Sequence, residues 1–231
     1  MKIKNCFLFV FIAITAIGYS QNNSIYKAAR EKTHNLIHTK LKVDFNFEEK
    51  KLNGEAWITA KPHFYATDLF TLDAKSMLIR EVSLNGKKID YDYDDYEITL
   101  RLPKKYSKEE VFTVYIKYTA RPEKVKEKGS AAITSAKGLY FINADGADKN
   151  KPTQIWTQGE TEGSSCWFPT IDAPNQKTTQ EIYITVPNKY VTLSNGALIS
   201  QTKNAESRTD YWKMDQKHAP YLFFMGVGAF E

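Results

Sequence analysis

Strict alternation of apolar and polar residues limits what this chain can fold into more than any other feature. Leu41, Val43, Phe45 and Phe47 alternate with Lys42, Asp44 and Asn46. Ile98, Leu100 and Leu102 alternate with Thr99 and Arg101. The same pattern runs through Phe112, Val114, Ile116 and Tyr118, and again through Ile182, Ile184 and Val186. Successive side chains on a strand point to opposite faces, so each run has one face for a core and one for water. Leu222 to Met225 is continuously apolar and predicts a strand buried on both faces. Asn53-Gly54, Asn85-Gly86, Asp145-Gly146 and Asn195-Gly196 are pairs that accept positive φ and predict tight turns. Helical signal is confined to Ser24, placed to cap a short helix over Ile25 to Arg30. The fold expected is all-β, an antiparallel two-sheet sandwich with little helix.

The N-terminus reads differently. Lys2 and Lys4 form a basic head, and Cys6 to Ile17 is almost wholly apolar. Gly18, Tyr19 and Ser20 then lead into polar Gln21. This is the layout of a cleavable export signal over residues 1–20, too short for the roughly 20 apolar residues of a membrane span. The expectation is an exported protein, periplasmic or extracellular, with no stable membrane anchor after cleavage. Residues 21–40 form a lead-in, and residues 41–231 a single β domain.

Charge and cysteine content exclude some functions. Loss of Lys2 and Lys4 takes the formal charge from +5 to +3, which gives no sign of a nucleic-acid partner. Arg121 to Ala136 reads as a long surface loop, in which Lys124, Lys126 and Lys128 interleave with Glu123 and Glu127. Cys166 would be the one cysteine left after cleavage, so no internal disulfide is expected. It reads as a buried structural thiol, because no partner histidine is identifiable near it. Tyr91, Tyr93 and Tyr96 among Asp90, Asp92, Asp94 and Asp95 read as an acidic hairpin edge rather than a calcium or sugar site.

Ile155 to Asn175 is the densest segment. It contains Gln158-Gly159-Glu160-Thr161-Glu162-Gly163 and then Cys166-Trp167-Phe168-Pro169-Thr170-Ile171-Asp172-Ala173-Pro174. Composition leaves two readings open. One is a turn-rich connection whose acids face water; the other is a loop holding polar groups above a packed aromatic base.

These residues resemble the N-terminal domain of the aminopeptidase N and leukotriene hydrolase family of zinc peptidases. Gln158-Gly159-Glu160 is similar to that family's Gln-x-Glu element, and Phe168 to Pro174 to its Phe-Pro-x-x-Asp-x-Pro element. Gly138-Leu139-Tyr140, Leu193-Ser194-Asn195-Gly196 and Pro220-Tyr221-Leu222, with Gly226 and Phe230, add matches in order. The resemblance implies a curved, saddle-like β domain leaning on a downstream catalytic domain. It implies that Glu160 binds the α-ammonium of a peptide N-terminus and that Gln158 lines the first side-chain pocket. Phe168, Pro169, Asp172 and Pro174 would form the loop's structural base, with Asp172 bonded to nearby backbone amides. It also implies zinc for the full-length enzyme.

The catalytic parts are absent from this sequence. Hydrolysis in that family uses a His-Glu-x-x-His helix, in which two histidines hold zinc and the glutamate acts as general base. His34-Asn35-Leu36-Ile37-His38 has the histidine spacing but Asn35 at the base position. In a strand, residues four apart share a face but stand roughly 13 Å apart, too far for one zinc. No catalytic residue, metal ligand or cofactor is therefore assigned within this chain. Its expected function is substrate recognition for an exported zinc aminopeptidase, without hydrolysis on its own. Two rival readings are a stand-alone β-sandwich module binding peptides or sugars, and a pure scaffold.

Overall fold

The computed structural model describes residues 30–126 and 136–229. The export segment, the Ser24 cap, the centre of the 121–136 loop and Phe230 lie outside the described residues.

Fifteen strands run through the described residues. They are β1 (His34–Asn46), β2 (Lys51–Pro62), β3 (Thr67–Asp73), β4 (Met77–Leu84), β5 (Lys87–Lys88), β6 (Tyr91–Tyr93), β7 (Glu97–Tyr106) and β8 (Phe112–Ala120). After the 121–136 segment come β9 (Leu139–Ile142), β10 (Gln154–Thr157), β11 (Thr178–Pro187), β12 (Val191–Ser194), β13 (Ala197–Lys203), β14 (Ser207–His218) and β15 (Met225–Gly228). Among the described residues helix is limited to single 3-10 turns at Pro122–Lys124, Ser164–Cys166 and Pro220–Leu222.

The strands form three sheets rather than two. The large sheet has the order β13-β14-β11-β1-β2-β8-β4-β5. A four-stranded sheet, β12-β15-β10-β9, and a three-stranded sheet, β3-β7-β6, make up the other layer. Every pairing is antiparallel except β1 with β11, which run parallel in the middle of the large sheet. One core lies between the layers. Leu41, Ile58, Ile116 and Ile184 enter it from the large sheet, Phe70 and Leu100 from the three-stranded sheet, and Ile155 and Val227 from the four-stranded sheet. The alternation read from the sequence is the physical cause: in each run the core-facing set is the apolar one.

Three local expectations are corrected. Asn53-Gly54 is not a turn but lies inside β2, and the turn falls earlier, over residues 47–50, with Lys50 at φ 52°. Gly54 is needed there for space, since a Cβ on it would lie 2.2 Å from Cζ of the buried Tyr118 ring. Leu222 to Met225 is not a strand buried on both faces. Leu222 ends a 3-10 turn and is half exposed, and the strand begins only at Met225. His34 and His38 do not share a face. β1 starts at His34, and a bulge between Leu36 and His38 inserts Ile37, which moves His38 to the face opposite His34. Of the other turn pairs, Asn85-Gly86 links β4 to β5 with φ of 51° and 76°, the mark of a tight hairpin turn.

Candidate recognition loop

The Gln158–Gly163 loop leaves the end of β10 and is fixed at both ends by backbone contacts. The N–H of Gln158 donates to Gly138 O at 2.9 Å, and the N–H of Gly163 closes the loop on Gly159 O at 2.7 Å. Close approach explains the glycines. A Cβ on Gly159 would stand 2.2 Å from Tyr221 O, and one on Gly138, at φ +68°, would stand 1.9 Å from Gly163 O. The segment ahead of β9, the loop and the 3-10 turn at Pro220 are therefore packed backbone to backbone. Ser164 adds a side-chain tie, donating its hydroxyl to Pro220 O at 2.8 Å.

The base of the loop is buried. Cys166, Trp167 and Phe168 are fully enclosed, Phe168 stacks on Phe223 at 5.0 Å, and Pro169 is buried beside them. Pro174 is exposed, at the far end of the motif. The Cys166 thiol points at Ala136 O, 3.6 Å away. Asp172 is buried, and its Oδ2 accepts the Ser165 N–H at 2.8 Å while Oδ1 has no partner. Burial pushes the Asp172 carboxyl up to about 6; the Ser165 hydrogen bonds oppose this and the nearby Asp73 carboxylate adds to it.

Above this base, Gln158 is half-buried and Glu160 is exposed. No hydrogen bond or ion pair joins either side chain to the described residues. The Glu160–Thr161 peptide is cis. Gln158 and Glu160 sit on one loop tied at both ends by backbone hydrogen bonds, with buried Phe168, Pro169 and Asp172 in the segment that follows it.

Sequence reading missed the clamp supplied by the end of β3. Asp73 and Thr170 exchange backbone hydrogen bonds at 2.7 and 3.0 Å, and Asp73 Oδ2 accepts the Asp172 N–H at 2.8 Å. Lys75 donates its N–H to Ser165 O at 2.8 Å and its Nζ to Glu162 O at 3.2 Å. The sequence held no local sign of it: Phe70, Leu72 and Ala74 go on alternating with Thr71 and Asp73, and only the fold shows that Asp73 is buried.

Metal ligation finds no donor set here. Among the described residues no three His, Cys, Asp or Glu side chains stand together to hold an ion. His34 is wedged between Phe70 and Phe112, while His38 bonds Thr179 Oγ1 at 2.7 Å on the other face. The acidic tyrosine stretch is likewise committed to structure. The Tyr93 hydroxyl donates to Ala74 O and accepts from the Met77 N–H, and Asp92 pairs with Arg101.

Residues 31–222 match the model of the Peptidase M1 N-terminal domain, and the chain belongs to that family. It is similar to the puromycin-sensitive aminopeptidase of Caenorhabditis elegans, 28% identical over 177 residues, which cover 72% of this chain and 17% of the worm protein. In structure it is similar to an M1 zinc metallopeptidase from Deinococcus radiodurans, with a TM-score of 0.75, 18% identity, and coverage of 89% of this chain and 44% of that one. It is also similar to Legionella pneumophila aminopeptidase A in complex with aspartic acid, with a TM-score of 0.69, 19% identity, and coverage of 91% and 23%. The chain thus spans less than half the length of each of these relatives.

Proposed function

We propose that this chain is the substrate-recognition domain of an exported zinc aminopeptidase. Glu160 holds the α-ammonium of a peptide N-terminus, and Gln158 lines the pocket for the first side chain. An exopeptidase must recognise a cationic chain end, and a fixed carboxylate does so through charge-assisted hydrogen bonds. Holding the amine also fixes the scissile carbonyl against the metal of a further domain. That domain would supply the His-Glu-x-x-His zinc site, so this chain does not hydrolyse peptides on its own.

The observation that carries the reading is the contrast within one loop. The Gln158 N–H is tied to Gly138 O, Glu162 O accepts from the Lys75 ammonium, and the residues that follow are held by Asp73, Lys75 and Pro220, yet Glu160 stands exposed within the loop. Membership of the M1 N-terminal family and the aminopeptidase names of two relatives support the same assignment. Export rests on the basic head and the apolar stretch from Cys6 to Ile17; sequencing the N-terminus of the protein recovered outside the cytoplasm checks it, with Gln21 expected first.

The direct test is an assay of the purified chain with added zinc on a panel of chromogenic amino-acid amides. No hydrolysis is expected. Zinc-dependent turnover that survives repurification would overturn the assignment of hydrolysis to a further domain.

A further inference from the structure

Three of the turn-like pairs in this sequence place glycine directly after an asparagine: Asn53-Gly54, Asn85-Gly86 and Asn195-Gly196. The fourth, Asp145-Gly146, has no amide to lose. An asparagine before glycine closes readily on its neighbour, because no side chain hinders the next backbone nitrogen. Closure needs that nitrogen and the side-chain amide to be free, and the local chain to leave its folded dihedrals. The sequence offers the same chemistry at all three pairs, and the fold treats them differently.

Asn53 lies inside β2, with β1 paired on one side and β8 on the other. Its Nδ2 donates to Asp44 Oδ1 at 2.8 Å, and its Oδ1 accepts the Thr119 hydroxyl at 3.3 Å. Freeing it means taking apart the middle of the large sheet. Asn195 is held at both ends of its amide. Its Nδ2 donates to Leu222 O at 3.0 Å, and its Oδ1 accepts the Phe224 N–H at 2.7 Å. Gly196 is pressed against β14, since a Cβ on it would stand 1.9 Å from Lys213 O. Exposure alone does not separate the pairs, because Asn53 is exposed too.

Asn85 differs in each respect. It is exposed, and among the described residues no hydrogen bond ties its side chain or the Gly86 N–H. Nothing lies within 4 Å of where a Gly86 Cβ would sit. The hairpin it caps is short. Strand β5 has two residues at the edge of the large sheet, paired to β4 through Lys88 with Ser83 and Lys87 with Leu84. Both lysines are exposed. Local opening of so small an edge unit costs far less than opening β2.

We propose that Asn85 is a site of spontaneous deamidation in the folded protein, and that the fold protects Asn53 and Asn195. The Gly86 nitrogen attacks Cγ of Asn85. The new N–Cγ bond closes a succinimide ring, the Cγ–Nδ2 bond breaks, and the proton of the Gly86 N–H departs with the ammonia. Water then opens one of the two ring C–N bonds. Opening at Cγ gives aspartate; opening at the main-chain carbonyl gives isoaspartate, which adds a methylene to the backbone. Either product sets a new carboxylate beside Lys87 and Lys88, and isoaspartate lengthens a turn that two residues fit.

The test incubates the full chain in warm, mildly alkaline buffer, native and in urea. Mass spectrometry follows the peptides carrying positions 53, 85 and 195, with fragmentation that separates aspartate from isoaspartate. In the native protein Asn85 is expected to convert at least about tenfold faster than Asn53 and Asn195, and in urea the three rates should draw to within about threefold. Gly86→Ala, measured in urea where its folded strain is irrelevant, should slow position 85 at least about tenfold and leave 195 unchanged. Asn53 or Asn195 keeping pace with Asn85 in the native protein would overturn the proposal. So would the absence of native conversion at 85 over a period that converts it fully in urea, and so would an unchanged rate at 85 in Gly86→Ala.

Discussion

The N–H of Asp172 donates to the carboxylate of Asp73 across 2.8 Å, joining two positions 99 residues apart. Around this bond the end of β3 holds the floor of the candidate loop. Asp172 itself is buried and raised to about 6 by that burial. An acid whose folded value is raised binds its proton more tightly in the native state. Its stabilising share is therefore present below the unfolded value near 4 and is lost as pH rises through 6.

Asp172→Asn keeps an acceptor for Ser165 N–H and removes the charge. Urea unfolding at pH 7 is expected to find it at least as stable as the parent, with the advantage shrinking toward pH 4. Asp172→Ala, which strands the Ser165 N–H, is expected to cost about 1–3 kcal/mol at pH 7. Equal losses from Asn and Ala at pH 7 would contradict the account of the buried charge.

His34 supplies an opposite dependence. Its imidazole packs 4.8 Å from Phe70, Nε2 has no partner, and burial holds its pKa down to about 4. A histidine kept neutral in the fold stabilises above its unfolded value of 6.5, and that share is lost as pH falls toward 4. Comparing the parent with His34→Leu cancels the Asp172 contribution. The stability difference between them should shift against the parent by roughly 2 kcal/mol between pH 7 and pH 4.5. A pH-independent difference would show that His34 is charged or solvated in the fold.

Gly54 and Tyr118 give a paired test of packing. Gly54→Ala places a methyl 2.2 Å from Tyr118 Cζ and should destabilise by about 1–3 kcal/mol. The Tyr118 hydroxyl is buried without a partner, so Tyr118→Phe should raise stability by about 1 kcal/mol. Thermal unfolding of both variants reads the result. A tolerated Gly54→Ala would mean that the strand reading of Asn53-Gly54 is wrong.

The alternating runs that became β1, β7, β8 and β11 were legible because one face of each is buried, and burial writes a period of two into the sequence. What stayed hidden depends on distant partners. Asn53-Gly54 carries a turn signal, yet the ring that demands the glycine belongs to Tyr118. The Ile37 bulge leaves no compositional trace, and it alone decides that His34 and His38 part company. Division of the second layer into two sheets follows from pairings between remote segments, such as β10 with β15. For the loop, Gln158 and Glu160 were assigned from a linear motif. Asp73 and Lys75 belong to no such motif, so only the folded chain brings them under it.

The measurement that bears most directly on the central claim is kcat/KM for an amino-acid amide, taken on the assembled zinc aminopeptidase carrying this chain with Glu160 intact or replaced by Ala. Losing a charge-assisted contact of this kind costs about 1.5–3 kcal/mol, so the account predicts a fall of about ten- to a hundredfold with the fold unchanged by circular dichroism. Unaltered kcat/KM would contradict it and remove Glu160 from substrate recognition.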